Sequence, residues 1–188
     1  MARLVAHFGV SRLESDEHYR IALDFYTKNN LDQAILNMDS AIELLPNRAE
    51  YYAARGFFHL EDGDPNRAEP DFDKALQINP YEVLANFGKG VIAYNHKDYD
   101  PALDFFMKAW AAENNRPETL YYLGLIYHRK KDNYQAIYWM QQAIAQYEPI
   151  AENDREARKR LRNAEKWVGE FEKLIKQVQE QTQASDTA

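Results

Sequence analysis

Five histidines, 30 carboxylates and a cluster of cations toward the C-terminus are the groups in these 188 residues that could do chemistry. Metal-centred hydrolysis asks for two His at i, i+4 on one helix face with a third ligand in reach. His7, His18, His59, His96 and His128 never take that spacing, and no H-E-x-x-H occurs. Asp62-Gly63-Asp64-Pro65-Asn66 places oxygens at positions 1, 3 and 5 of a calcium loop. The sharp-turn Gly is then replaced by Arg67, and the bidentate Glu by Asp73. Phosphate cradles need a glycine-rich turn ahead of a helix, and Gly88-Lys89-Gly90 is the nearest approach. There is no G-x-S-x-G, and the absence of Cys excludes thiol nucleophiles, disulfides and Cys-ligated zinc. No Asp/Glu pair stands isolated in an apolar setting that would drive two pKa values apart. The expectation is a protein that is not an enzyme, with no catalytic residue, no cofactor and no metal site.

The cations are arranged more suggestively. Arg155, Arg158, Lys159, Arg162, Lys166, Lys173 and Lys176 recur at helical spacing. They read as the solvated face of an amphipathic helix, or as a surface for an acidic partner or RNA. Residues 151–188 hold eight basic and eight acidic side chains, so residues 1–150 carry the whole net charge of −7. An acidic body is a poor general binder of phosphate backbones, and nucleic acid is not expected as the main partner. The apolar fraction of 45% is too high for disorder, and no apolar run is long enough to cross a membrane. Without a signal-peptide pattern at its start, the chain is expected to be cytoplasmic.

The elements that must position these groups repeat. Ala34, Ala68, Ala102 and Ala136 are spaced by 34 residues, as are Ala41, Ala75, Ala109 and Ala143. Ala22, Gly56, Gly90 and Gly124 form a third series, and Met38, Phe72, Phe106 and Met140 a fourth. Small residues are what close helix packing requires at the point of contact. The 4-then-3 spacing of Ala, large residue and Ala puts all three on one helix face.

This register resembles the tetratricopeptide repeat, W-x2-L-G-x2-Y followed by A-x3-F, A and P. The resemblance implies an all-α fold, a right-handed α-solenoid of four helix-turn-helix repeats at 15–48, 49–82, 83–116 and 117–150. Gly56, Gly90 and Gly124 fall at position 8, Phe25 and Tyr127 at position 11, and Pro46 and Pro80 at position 32. Asn29-Asn30, Gly63-Asp64 and Lys97-Asp98 sit where the turn inside a repeat belongs. The pattern departs at position 4, which holds His18, Tyr52, Asn86 and Leu120, and at position 7, which holds Arg55 and Lys89 in the middle repeats. Those two cations are expected to snorkel or to meet acidic neighbours. Pro117 and Pro149 stand later than position 32, so the second helices of the last two repeats are expected to run longer.

Residues 1–14, with Leu4, Val5, Phe8, Val10 and Leu13, read as an N-terminal cap or strap. Residues 151–181 read as one long amphipathic C-terminal capping helix, and 182–188 as a flexible tail. Ala157, Ala164, Phe171 and Val178 mark three seven-residue steps on that helix, so it could also dimerise.

In the family, positions 2, 5, 9, 12 and 13 of the first helices line a concave groove. Positions 5, 9 and 12 here are Tyr19, Leu23, Tyr26, Phe57, Leu60, Phe87, Val91, Tyr94, Tyr121, Leu125 and His128, with Ala53 the one small member. A groove so apolar and aromatic suits a hydrophobic or amphipathic helical segment of a protein partner. Residues 1–14 or the C-terminal helix could instead fill it from within. Chaperone-binding relatives clamp a terminal carboxylate with Lys, Asn and Arg. The matching positions here are Tyr19, Leu23, Ala54, Leu84 and Gly88 in one frame, and Ala53, Phe57, Gly88, Glu118 and Tyr122 in the next. Neither frame offers a cation, so a carboxylate clamp is not expected. The leading expectation is a non-catalytic scaffold or adaptor for complex assembly. The alternatives are a self-associating subunit joined through its heptad-patterned helix, and an RNA-associated factor using the basic stripe.

Overall fold

The computed structural model describes the backbone of residues 2–186 and the side chains of residues 11–183. Among the described residues every regular element is a helix. They are α1 (Ala2–Thr27), α2 (Leu31–Leu44), α3 (Ala49–Glu61), α4 (Pro65–Ile78), α5 (Val83–Asn95), α6 (Tyr99–Ala112), α7 (Pro117–Arg129), α8 (Asn133–Ala151) and α9 (Arg155–Asp186). None of the helices among these residues is long and apolar enough to cross a membrane. The chain divides into two compact units, residues 1–92 and 93–188. The fold is all-α and follows the 34-residue register, with α1/α2, α3/α4 and α7/α8 packed as pairs.

The turn inside each pair is built identically. Asn29, Gly63, Lys97 and Lys131, 34 residues apart, all take left-handed φ values of 56°, 81°, 67° and 64°. In three of the four turns the side chain of the next residue caps the second helix, Asp98 being the one that makes no such bond. Asn30 accepts from the Gln33 N–H, Asp64 from Arg67 and Asp132 from Gln135, at 3.2, 3.1 and 3.1 Å. Within the calcium-like segment Asp64 is thus engaged as the cap of α4, and Pro65 opens that helix.

The small-residue series is the packing contact. A Cβ on Gly56 would lie 2.9 Å from the Phe72 ring, and one on Gly124 would lie 2.8 Å from Met140. Gly88, rather than only the position-8 series, also faces Phe72, which is therefore wedged between α3 and α5. Ala34, Met38, Ala41, Ala68, Phe72 and Ala75 are wholly buried, as are Ala102, Phe106, Ala109, Ala136, Met140 and Ala143.

The departures from the family pattern find partners. Arg55 donates to Asp71 through Nε and Nη2 at 2.8 and 2.6 Å, and to Asp39 through Nη1 at 2.6 Å. Lys89 pairs with Asp73 at 2.8 Å and Glu69 at 3.3 Å. Asp39 and Asp73 share position 25, sixteen residues before Arg55 and Lys89. The corresponding residues in the third and fourth repeats are Met107 and Leu123, so charge and apolarity change together. At position 4, Tyr52 donates its hydroxyl to the carbonyl of Pro46 at 3.1 Å. The buried Asn86 donates to Pro80 and Glu82 carbonyls at 3.0 and 2.9 Å. Each ties its repeat to the proline ending the previous one.

The ends differ from the expected boundaries. The backbone of residues 2–14 belongs to α1, which runs unbroken from Ala2 to Thr27. The side chains of Leu4, Val5, Phe8 and Val10 lie outside the described residues; Leu13 is exposed. The second helix of the third repeat does not lengthen. α6 ends at Ala112 and Pro117 opens α7 instead. α8 does lengthen, taking Pro149 into its last turn. α9 accordingly starts at Arg155, where Asp154 accepts from the Glu156 and Ala157 N–H groups. Arg158 fastens it to α8 through the carbonyls of Ala151 and Glu152 at 3.0 and 2.6 Å. The helix continues past 181 to Asp186, with the Thr182 hydroxyl bonded to Val178. Residues 187 and 188 of the expected tail lie outside the described residues.

Two stability outcomes are expected. Arg55→Leu leaves Asp71, 8% exposed, without its cation. Urea denaturation should show a loss of about 3 kcal/mol, largely recovered in Arg55→Leu/Asp71→Leu. A single-variant loss below about 1 kcal/mol contradicts this reading. Lys97→Gly relieves a left-handed backbone that Gly63 already occupies freely. It should raise stability by about 1 kcal/mol in the same measurement.

Candidate functional site

In residues 1–92 the expected groove positions form a partly covered aromatic row. Tyr19 lies 5.3 Å from the Tyr51 ring, and burial pushes its hydroxyl ionisation up. Tyr51 in turn donates to Asp16 at 2.7 Å. Tyr26 stacks on Phe58 at 5.1 Å and meets Phe57 edge-on at 5.9 Å. Phe57 and Leu60 are half-buried, Phe57 packing against the cores of both flanking helix pairs. Leu23 is 39% exposed, the most open of the apolar groove residues in this unit. Phe87 and Val91 are buried, and Ala53 likewise.

In residues 93–188, Tyr94 is half-buried, 5.4 Å from Tyr122 and 5.7 Å from Tyr99. Tyr94 beside it pushes the Arg129 ionisation up. Tyr121, Leu125 and His128, at positions 5, 9 and 12 of the fourth repeat, are covered by α9. The Trp167 indole N–H donates to the Tyr121 hydroxyl at 3.2 Å. The His128 ring stacks on Phe171 at 4.6 Å and lies 5.7 Å from Trp167. Leu125 and Tyr121 pack against Ala164, Phe171, Ala136 and Met140. Burial pushes the Tyr121 ionisation up, although the Trp167 bond works against it. Among the possible inner occupants, α9 thus lies on the fourth repeat.

The seven-residue seam of α9 is engaged in this contact. Ala157, Ala164 and Phe171 are buried, while Val178 and Leu174 stay exposed. Three features escaped the sequence reading. One is the pairing of Trp167 with Tyr121. The second is Asp71, which answers Arg55. The third is the exposed pair Tyr134 and Tyr138 on α8. Their positions hold Asp32, Asn66 and Asp100, and Leu36, Pro70 and Asp104, in the earlier repeats. The repeat alignment carried that last signal. Among the described residues no three His, Asp or Glu side chains are grouped to hold a metal ion. The arrangement offers apolar and aromatic surface for association.

The comparisons with known proteins agree with this architecture. A family model described as tetratricopeptide repeat matches residues 19–83 and 59–117. A protein SGT1 homolog of Bos taurus is 31% identical over 88 residues, covering 47% of this chain and 26% of the relative. The chain thus spans about a quarter of that relative's length. Pseudomonas aeruginosa PilF superposes with a TM-score of 0.65 at 19% identity, over 86% of this chain and 78% of PilF. The first TPR of Spaghetti (RPAP3), solved with the HSP90 peptide SRMEEVD, superposes with a TM-score of 0.58 at 15% identity. That match covers 64% of this chain and 95% of the solved one. Matched by its family model over more than half its length, this chain belongs to the tetratricopeptide repeat family, whose members generally act as non-enzymatic protein-interaction adaptors.

Proposed function

We propose that the chain is an adaptor that holds an amphipathic or hydrophobic helical segment of a partner protein against the apolar positions of its first helices. The observation that supports this most directly is intramolecular. An amphipathic helix, α9, lies on positions 5, 9 and 12 of the fourth repeat through Trp167 and Phe171. The same positions in residues 1–92 carry the same chemistry in Tyr19, Leu23, Tyr26, Phe57 and Leu60. A partner helix with aromatic or aliphatic anchors at i, i+3/i+4 and i+7 matches that surface. Leu23 and the half-buried rings beside it provide area with few rotatable bonds.

The carboxylate-clamp reading is disfavoured on the same positions. The HSP90 peptide of the RPAP3 structure carries two Glu and a terminal Asp. Where a clamp would set cations, this chain has Tyr19, Leu23, Ala54, Leu84 and Gly88, or Ala53, Phe57, Gly88, Glu118 and Tyr122. An acidic peptide end finds no countercharge there. Self-association through the heptad seam competes with α8 for Ala157, Ala164 and Phe171, which leaves only the outer turns around Leu174 and Val178. Adaptor work within a larger complex is the reading that remains.

The test compares proteins retained by the wild type with those retained by Leu23→Glu and by Leu36→Glu. Leu36 is an exposed leucine on α2 that serves as a matched control. Circular dichroism should show all three equally folded, since both leucines are open to solvent. Specific partners should disappear from Leu23→Glu and persist with Leu36→Glu. Retention by both variants would mean that the partner binds elsewhere.

A further inference from the structure

We infer that α9 presents an unfilled helix-docking face centred on Gly169, and that its occupant is an acidic helix of another protein carrying a large apolar residue between carboxylates. This site goes beyond the groove of the previous section and does not depend on it.

The first helices of the second, third and fourth repeats show one spacing of buried positions. Tyr51, Gly56 and Phe58 stand at positions 3, 8 and 10 of the second repeat, Ala85, Gly90 and Ile92 at those of the third, and Thr119, Gly124 and Ile126 at those of the fourth. Ala164, Gly169 and Phe171 repeat the same steps on α9, with Ala164 and Phe171 wholly buried. α9 therefore packs as a first helix does. In the pairs α3/α4 and α7/α8 the second helix drives a large residue onto the position-8 glycine. Phe72 approaches Gly56, and Met140 approaches Gly124. Nothing lies within 4 Å of a Cβ built on Gly169. Glycine weakens an exposed helix relative to alanine, and no contact within the chain accounts for it here.

The charges around Gly169 say what would fit. Arg162 and Lys166 lie seven and three residues before it, Lys173 and Lys176 four and seven after, so all four share its side of the helix. All are exposed. Arg162 and Lys166 have no ion-pair partner among the described residues; Lys173 and Lys176 touch Glu170 and Glu180 at 3.5 and 3.9 Å. Glu165 and Glu172, four before and three after Gly169, lie on the same side of the helix and border the cations. The chain contains its own template for the complement. On α4, Phe72 plugs Gly56 and Gly88 while Asp71 pairs with Arg55, and Asp73 and Glu69 pair with Lys89. A glycine beside cations is met by a phenylalanine beside carboxylates.

A second copy does not supply this helix. The Gly169 side of another α9 carries Arg162, Glu165, Lys166, Glu172 and Lys173 and no large apolar residue, and the Phe72 of another α4 is fully buried in its own fold. A nucleic-acid strand would use the cations, but it would have no use for the glycine and would meet Glu165 and Glu172.

The test titrates a fluorescent, hydrocarbon-stapled synthetic copy of residues 64–79 into the full chain, read by anisotropy at low and moderate salt. Wild type should bind saturably and more weakly as salt rises. Gly169→Leu puts a side chain into the space that is open around a Cβ at this position, and Arg162→Glu/Lys166→Glu inverts the charge. Each should weaken binding roughly tenfold or more. A peptide with Ser at the position of Phe72 should lose a similar factor, and Leu23→Glu in the chain should change nothing. Absence of saturable binding to the folded wild type overturns the proposal, as does equal binding by Gly169→Leu. A uridine oligonucleotide that binds through Arg162 and Lys166, and is indifferent to Gly169→Leu, would assign the face to phosphate instead and also overturn it.

Discussion

A large side chain pressed against a backbone without a Cβ is the contact on which the rest of this structure depends. Phe72 illustrates it. Its ring occupies the space that side chains at Gly56 and Gly88 would need, so α3, α4 and α5 can approach only while both positions stay empty. Enlarging either glycine would force the ring out of a site where interiors are too densely packed to yield. Met140 does the same for Gly124. Because the plug and the socket lie on consecutive helices, each pair is set by neighbours in sequence. The solenoid is then a succession of such local decisions.

Polar groups are added around these sockets without competing with them. The guanidinium of Arg55 spans Asp71 and Asp39, and the ammonium of Lys89 spans Asp73 and Glu69. These cations occupy positions that are apolar in the fourth repeat, where Leu123 is buried. A half-buried ion pair adds little net stability, but it penalises misregister, because a helix shifted by one turn leaves Asp71 buried and unpaired. Tyr52 and Asn86 act similarly through the carbonyls of Pro46 and Pro80.

Much of this was legible in the residues. The period of 34 located every helix pair, since small and large residues at fixed spacing have a direct steric meaning. The turns were legible for the same reason, with Lys131-Asp132 completing the set that Asn29-Asn30 began. Helix ends were less so. Pro117 begins a helix and Pro149 lies inside one, because a proline in the last turn forfeits a single donor while one at the start forfeits none. The covering of Tyr121, Leu125 and His128 was the hardest to read. It rests on Trp167, 46 residues from Tyr121, and no local periodicity announces such a pairing.

The order of helices along the chain has a consequence in time. α7 and α8 are synthesised before α9, and domains begin to consolidate as they emerge. Until Trp167 and Phe171 arrive, the aromatic face of α7 is bare to solvent. The nascent chain therefore passes through a stage at which Tyr121, Leu125 and His128 are open to any amphipathic helix at hand.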